Sequence, residues 1–526
     1  MRSLRSSDAQ HWKALSVSDE SVAALLRSNE PLVVIEAAAG CGKTFQGSAY
    51  ARDASQTLDQ GRLLILTHTH GACGVFAERT SGLARRVEIR TIDSLIGQVA
   101  SIYRRALGLP DDLSTWAYQN DGEGFEIMAG KVASYLEYHP IVRQAMARRY
   151  PLVICDEHQD ASEAQHRIIM ALHVGGARLR IFGDPLQTIF ASGNAKSDGA
   201  MAVALARWEA MKVSAAFDEL DFPHRWSDGS PDLGRWILEA RAELKVGRPI
   251  SLPGATVHGL NIVQANNIAP ARSVYQVGRE ERRRIDAATA NDVMVLASTN
   301  ERVGALSAFW RRRIPVWEGY TRPALADLVQ TARQHQGSAE QMAQAMLTFA
   351  TSIGIGFSSS SHGSRLLKEV REGCTKSARG KPANIQKLAR HLLEAPNHNG
   401  VANALDELNR LIEEQAEGFG DIKIVHRSEL RDAIRLKAFS CPEEGYAEIA
   451  RRRSHVLPKP PARALSTIHK AKGLECDNAV LIAGDKDQFG GSCYARCKLY
   501  VAISRAKKSL TVVVSPNNCS PLLRTA

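Results

Sequence analysis

Residues 37–44 read AAAGCGKT and follow directly on the apolar run LVVI at 32–35. A buried strand leading into a glycine turn and then a helix exposes a row of backbone N–H groups, here those of Ala39, Gly40, Cys41 and Gly42, to which phosphate oxygens can bind. Lys43 is placed to reach β- and γ-phosphates, and the Thr44 hydroxyl is of the kind that holds Mg²⁺. A second run, LVICDEHQD at 152–160, supplies two adjacent carboxylates at a strand end. Asp156 suits a magnesium ion, and Glu157 suits orienting and deprotonating an attacking water. Either run alone has a plainer reading, a strand–turn–helix with a chance lysine or a charged strand end in water. Together they point to nucleotide chemistry.

These groups need a scaffold. Apolar runs without polar alternation at 32–35, 63–66, 152–155, 293–296, 479–482 and 510–514 are expected to be fully buried strands. They alternate with helical patterns in two clusters, so the expected fold class is α/β with two parallel-sheet domains. Between the clusters, helical patterns such as Ile385–Leu388–Leu392 and Leu405–Leu408–Ile412 predict a mostly helical insertion, with SSSSHGS at 358–364 read as a linker and Pro458, Pro460 and Pro461 marking the return.

With 526 residues there is room for several cores, and 44% hydrophobic with 23% charged residues excludes a disordered chain. A net charge of +11 is compatible with a nucleic-acid partner without requiring one. The opening segment lacks a signal-peptide core, and no apolar run approaches a membrane span, so the expected setting is cytoplasmic with no membrane partner. Nine scattered cysteines fit reduced thiols, the close pair Cys493 and Cys497 included.

The ordered set AAAGCGKT, CDEHQD, GDPLQTIF (183–190), STIHKAKGLE (466–475) and YVAISRAKKSL (500–510) resembles the successive motifs of UvrD/Rep-like superfamily 1 helicases. LTHTHGAC (66–73), IRTIDSL (89–95) and FPHRW (222–226) are weaker matches. The resemblance implies two RecA-like motor domains with ATP and Mg²⁺ between them and single-stranded DNA, or a single/double-strand junction, across the top. It implies a first motor in residues 1–95 and 150–215, a short helical insertion at 96–149, a second motor in 216–319 and 458–526, and a helical accessory insertion at 320–457. By the same resemblance Gln187 senses the γ-phosphate, Arg225 and Arg505 are the paired arginines from the second motor, and Glu475 lies beside the ribose. His224 stands where a tyrosine usually stacks on adenine, and Thr67, His68, Thr91, Thr467 and His469 touch the strand.

There are departures. His68 and Ser192 stand where the family has aromatics, and Asp19 or Glu20 stands near the place of its adenine-reading glutamine, which brings GTP into question. Basic clusters at 282–284, 311–313 between Trp310 and Trp317, and 451–453 are either strand-binding patches or solvated helix faces. The resemblance implies a DNA-dependent ATPase acting as a single-stranded-DNA translocase or 3′→5′ helicase. The compact insertions keep open an alternative, a nucleotide- and DNA-responsive regulatory subunit of a nuclease, as in short UvrD-like proteins of the GajB phage-defence type.

Overall fold

In a computed structural model the described residues are 17–83, 85–120, 123–190, 198–253, 256–265, 277–311, 313–319, 322–454 and 460–525. Of the positions singled out above, the opening 1–16, Ser192, Arg312 and Pro458 lie outside them, as does the side chain of Arg453.

The first sheet contains β1 (Leu32–Ala37), β2 (Leu63–Thr67), β3 (Val87–Thr91), β4 (Leu152–Cys155), β5 (Arg178–Gly183) and β6 (Ala216–Leu220). All pairings are parallel, in the order β3-β2-β4-β5-β1-β6. The remaining strands are β7 (Ile250–Leu252), β8 (Leu260–Gln264), β9 (Val293–Ala297), β10 (Gly354–Ile355), β11 (Lys423–Ile424), β12 (Arg463–Thr467), β13 (Cys476–Ile482), β14 (Ala506–Val514) and β15 (Leu523–Thr525). Five of them form the second sheet, also parallel throughout, in the order β12-β9-β13-β14-β8. This is the α/β architecture of two RecA-like domains. β1, β2, β4 and β9 are buried at every position, because helices cover both faces of a parallel sheet.

Strand β6 lies against β1, so it closes the first sheet instead of opening the second motor, and the boundary expected at 215/216 moves beyond Leu220. The chain divides into one compact unit holding both sheets (1–103, 128–315 and 460–526) and another made of Arg104–Ile127 and Val316–Lys459. The expected insertion at 96–149 is therefore split, with only Arg104–Ile127 in the second unit and both its ends in the unit that holds the sheets. The second unit is helical, with a core including Leu325, Met346, Leu388, Leu405 and Leu408. Its SSSSHGS segment is a folded turn, not a linker. His362 is buried there, packs against Phe357 and Phe419, and bonds Gly418 O at 2.8 Å.

Two polar devices fasten the first sheet. Glu88 on β3 is paired by Arg62 and Arg90 and takes a bond from the Tyr150 hydroxyl at 3.0 Å. Arg180 on β5 is fully buried, and its guanidinium donates to Leu26 O at 2.7 Å, Ser28 O at 2.9 Å and Glu30 O at 2.9 Å. It thereby supplies a donor to carbonyls at and beyond the end of the helix Val17–Arg27, where intrahelical donors run out. Arg180→Met is expected to lower unfolding stability by about 1–3 kcal/mol, since the buried Leu26 carbonyl loses its guanidinium donor. Urea denaturation measures it, and a midpoint equal to the parent's would show that water replaces the guanidinium without cost.

Candidate nucleotide site and nucleic-acid face

Parallel order decides which residues meet. β4, β5 and β1 are neighbours, so their carboxyl ends bring Asp156 and Glu157, Asp184, and the 37–44 turn to one edge of the sheet. Ligands bind at such edges in open α/β sheets.

The turn requires its glycines. Gly40 and Gly42 have φ of 75° and 88°, the left-handed region. A Cβ on Gly40 would also lie 2.7 Å from Arg225 Cβ. The backbone N–H of Arg225 donates to Gly40 O at 3.0 Å, which seats FPHRW directly on the turn. From the other motor the Tyr500 hydroxyl accepts the Ala39 N–H at 2.8 Å. Cys41 is buried, which pushes its thiol up to about 12 and makes it inert. The helix Lys43–Thr57 then begins, with Thr44 half-buried in its first turn.

Lys43 Nζ lies 2.7 Å from Glu157 Oε1. Burial alone would lower the lysine's pKa, but Glu157, Asp156 and Asp184 outweigh it and raise it. Glu157 is the converse case. Burial works against its charge, and Lys43 and Lys472 overcome that and hold it ionised. Its backbone is left-handed at φ 56°, a conformation costly for a non-glycine residue. Gln159 Nε2 bonds its Oε2 at 2.5 Å. Asp156 takes up the imbalance: burial and the adjacent Glu157 charge push it up to about 7. Its Oδ1 is buried without a hydrogen-bond partner among the described residues.

That orphaned oxygen, on the same sheet edge as the helix start that carries Thr44, fits a divalent cation that would take its remaining ligands from nucleotide and water. Mg²⁺ is held in this way, through one or two protein oxygens. Among the described residues no group of three or more His, Cys, Asp or Glu forms an all-protein metal site. All nine cysteines are free thiols.

The edge continues through GDPLQ. Asp184 N–H donates to Gln159 Oε1 at 3.0 Å, and Gln187 Nε2 donates to Asp184 Oδ2 at 2.9 Å. Arg505 Nη2 lies 3.4 Å from Gln187 Oε1, and Lys472 Nζ donates to Gln187 O at 2.6 Å while pairing with Asp160. Arg505 is fully buried, and its guanidinium also donates to Val501 O at 2.8 Å, Leu474 O at 3.2 Å and Ser504 Oγ at 2.8 Å. Burial first, then the Arg225 charge, lowers it to about 10, so it stays protonated at neutral pH. Arg225 bonds Ser504 O at 2.6 Å and Glu475 Oε1 at 2.7 Å, making Glu475 the partner of an arginine. Burial raises the Glu475 pKa, and Arg225 more than reverses this.

His224 Nε2 is 2.8 Å from Asp19 Oδ2, and its ring edge lies 3.4 Å from where a Gly42 Cβ would stand. Asp19 also takes a bond from Gln46 Nε2 at 3.4 Å, so it fixes the imidazole over the phosphate turn.

The candidate strand contacts are spread along the carboxyl ends of both sheets. Thr67 is buried, with its hydroxyl donating to Thr69 O at 3.0 Å. Thr91 and Thr467 cap helices, accepting from Ser94 N at 3.2 Å and Lys470 N at 3.3 Å. His68 is half-buried, and desolvation lowers its pKa against Asp160 and Asp93, leaving a neutral ring. His469 Nε2 meets the Tyr494 hydroxyl at 2.5 Å. Phe190 is 45% exposed, its ring 6.1 Å from that of His469 and 5.0 Å from Lys472 Nζ. Phe190, Lys472 and Tyr494 were not expected as site residues. The first two stood inside recognised motifs, but only contact across the chain reveals what they face.

The basic clusters at 282–284 and 451–453 carry surface ion pairs. Arg282 pairs with Asp286, Arg283 with Glu280, and Arg451 and Arg452 with Glu448. Trp310 and Trp317 are buried, so neither offers a ring for stacking.

Sequence comparison agrees with this geometry. An AAA domain model matches residues 20–192, and a UvrD-like helicase C-terminal domain model matches residues 463–513. The second match spans TIHKAKGLE and the Arg505 motif, whose side chains close on the first match's turn. The two matches support a UvrD/Rep-like superfamily 1 helicase. A search of curated proteins finds no match. As a UvrD-like chain it carries a P-loop NTPase core with the family's ATP-binding motifs, and its domains are those of nucleic-acid-binding motors. Among the described residues no helix is long and apolar enough to cross a membrane.

Proposed function

We propose that this UvrD-like chain is a Mg²⁺- and ATP-dependent single-stranded-DNA translocase or 3′→5′ helicase. The observation that carries the reading is the convergence of both motors on one edge. Lys43, Asp156, Glu157 and Gln187 come from the first sheet, and Arg225, Lys472, Tyr500 and Arg505 approach from the second.

The N–H groups of Ala39 to Gly42 and the Lys43 ammonium bind the phosphates, while Thr44 and Asp156 hold the cation. A Mg²⁺ held by Thr44 and Asp156 would supply Lewis-acid neutralisation of the charge developing in phosphoryl transfer. Engagement of Lys43 by phosphate releases Glu157 Oε1 from its 2.7 Å partner, and Glu157 then orients water and accepts its proton. Arg505, with Arg225, stabilises the transferred phosphoryl group. Because Arg505 meets Gln187 and Lys472 meets Asp160, loss of the γ-phosphate alters how the two motors hold each other, which turns a chemical step into movement along DNA.

The strand lies over the carboxyl ends of both sheets, where Phe190 presents an exposed ring. Phe190→Ala is expected to weaken single-stranded-DNA binding about tenfold, as stacking is worth ~1–3 kcal/mol per base, with ATP affinity unchanged. Fluorescence anisotropy reads this, and equal affinity would remove Phe190 from the track. The function itself is tested by hydrolysis of ATP and GTP with single-stranded DNA, duplex and RNA, then unwinding of 3′- and 5′-tailed duplexes. Hydrolysis indifferent to DNA would overturn the reading, and unwinding of 5′-tailed duplex alone would reverse the assigned direction.

A further inference from the structure

Glu36 lies on β1, immediately before the phosphate turn, and is 1% exposed. Its carboxylate meets Arg241 Nη2 at 2.7 Å, Lys245 Nζ at 2.5 Å, Lys212 Nζ at 3.5 Å and Trp208 Nε1 at 3.1 Å. Burial opposes this charge, and Arg241 and Lys245 overcome it, holding the carboxyl at about 2. Four donors match the acceptor sites of one buried carboxylate. The guanidinium of Arg241 is also shared: its Nη2 reaches Asp184 Oδ1 at 3.0 Å, with Nε at 3.3 Å. Arg241 belongs to the helix Pro231–Lys245, whose Leu233, Ile237, Ala240 and Leu244 pack in the core around the second sheet.

Asp184 sits where two lines of contact divide. Its side chain accepts from Gln187 Nε2, whose Oε1 faces Arg505, and its own N–H bonds Gln159, which in turn holds Glu157. We propose that Arg241 is a positioning residue of the nucleotide site, a second-motor guanidinium that clamps Asp184 to β1 and thereby sets the placement of Gln187 and Glu157. Glu36 anchors Arg241, and Arg241 orients Asp184. Arg241 touches neither water nor phosphate in this role. None of the motifs quoted from the sequence includes it.

The inference rests on the hydrolytic reading of this site, and its test separates the two. Arg241→Met and Arg241→Lys are compared with the parent for steady-state hydrolysis, with rates normalised to nucleotide-binding-competent protein. Exchange of the Leu186 and Gln187 amides, both bonded to Asp184, is followed by mass spectrometry. Arg241→Met is expected to lower kcat about tenfold or more with KM for ATP within about threefold, as for a misplaced catalytic group, and to speed exchange at 184–188. Arg241→Lys, which keeps the charge and loses the fork, is expected to recover part of both. A normalised kcat and exchange equal to the parent's in Arg241→Met would overturn the inference. If the parent protein itself hydrolyses no ATP, the hydrolytic reading fails, and the exchange comparison alone decides whether Arg241 holds Asp184. Should Arg241→Met not fold, the Arg241→Lys comparison decides by the same two readouts.

Discussion

Glu157→Gln is expected to reduce DNA-stimulated ATP hydrolysis by about 10²–10⁴-fold, the range for losing a positioned general base, while nucleotide still binds. Glu157 has two distinct engagements, Oε1 on Lys43 at 2.7 Å and Oε2 on Gln159 at 2.5 Å. Glutamine preserves the shape and removes the charge. The site therefore keeps its packing while losing the group that takes the proton. Lys43 loses an ion pair, yet Asp156 and Asp184 still favour its charged form, so the phosphate turn remains cationic. ATP affinity should hold or rise, because one competitor for the ammonium has gone. Parallel measurements of turnover and fluorescent-nucleotide binding separate the two effects. Turnover equal to the parent's would disprove the assignment of Glu157 as base.

Arg505→Lys is expected to lower kcat by about 10³-fold or more, the scale on which an arginine contributes to phosphoryl transfer. The guanidinium is used in full: Val501 O, Leu474 O, Ser504 Oγ and Gln187 Oε1 all lie within its fork. Lysine offers a point charge that cannot meet four acceptors spread around a plane. Because Arg505 is fully buried, the substitution also tests folding, so the thermal midpoint and nucleotide affinity are measured beside kcat. A folded, nucleotide-binding variant with kcat within twofold of the parent would reduce Arg505 to a strut between Gln187 and its own helix.

The six apolar runs read as strands all fall within observed strands, since unbroken apolar stretches have few other homes in a chain of this composition. The first-sheet strands that escaped notice carry charges. β5 contains a buried arginine and β3 a buried glutamate, and each is tolerable only because partners distant in the chain satisfy it. β6 reads AFDEL and lies at the sheet edge, beyond the reach of a buried-strand pattern. The SSSSHGS segment looked like a linker because serine and glycine are common in linkers, whereas His362 finds Phe357, Phe419 and Gly418 only after folding.

The same division runs through the site. Lys43, Thr44, Asp156, Glu157, Gln187 and Arg505 were legible because each belongs to a short run in which neighbouring residues specify a strand end, a turn or a helix start, and such signals are local. Glu475, expected beside the ribose, also pairs with Arg225, a contact its motif does not announce because a carboxylate in a motif does not specify which cation it will meet. The glycines at 40 and 42, the apolar strands and the order of the motifs determined, from sequence alone, that the chain is a two-sheet α/β protein with the P-loop NTPase motifs of UvrD-like domains. Only tertiary structure decided that Lys43 pairs with Glu157, that Phe190 is exposed beside His469, and that Arg241 joins Glu36 to Asp184. The buried pairings among these cross the chain by as many as 205 residues, and their strength comes from burial, which no stretch of sequence contains until the sheets have stacked.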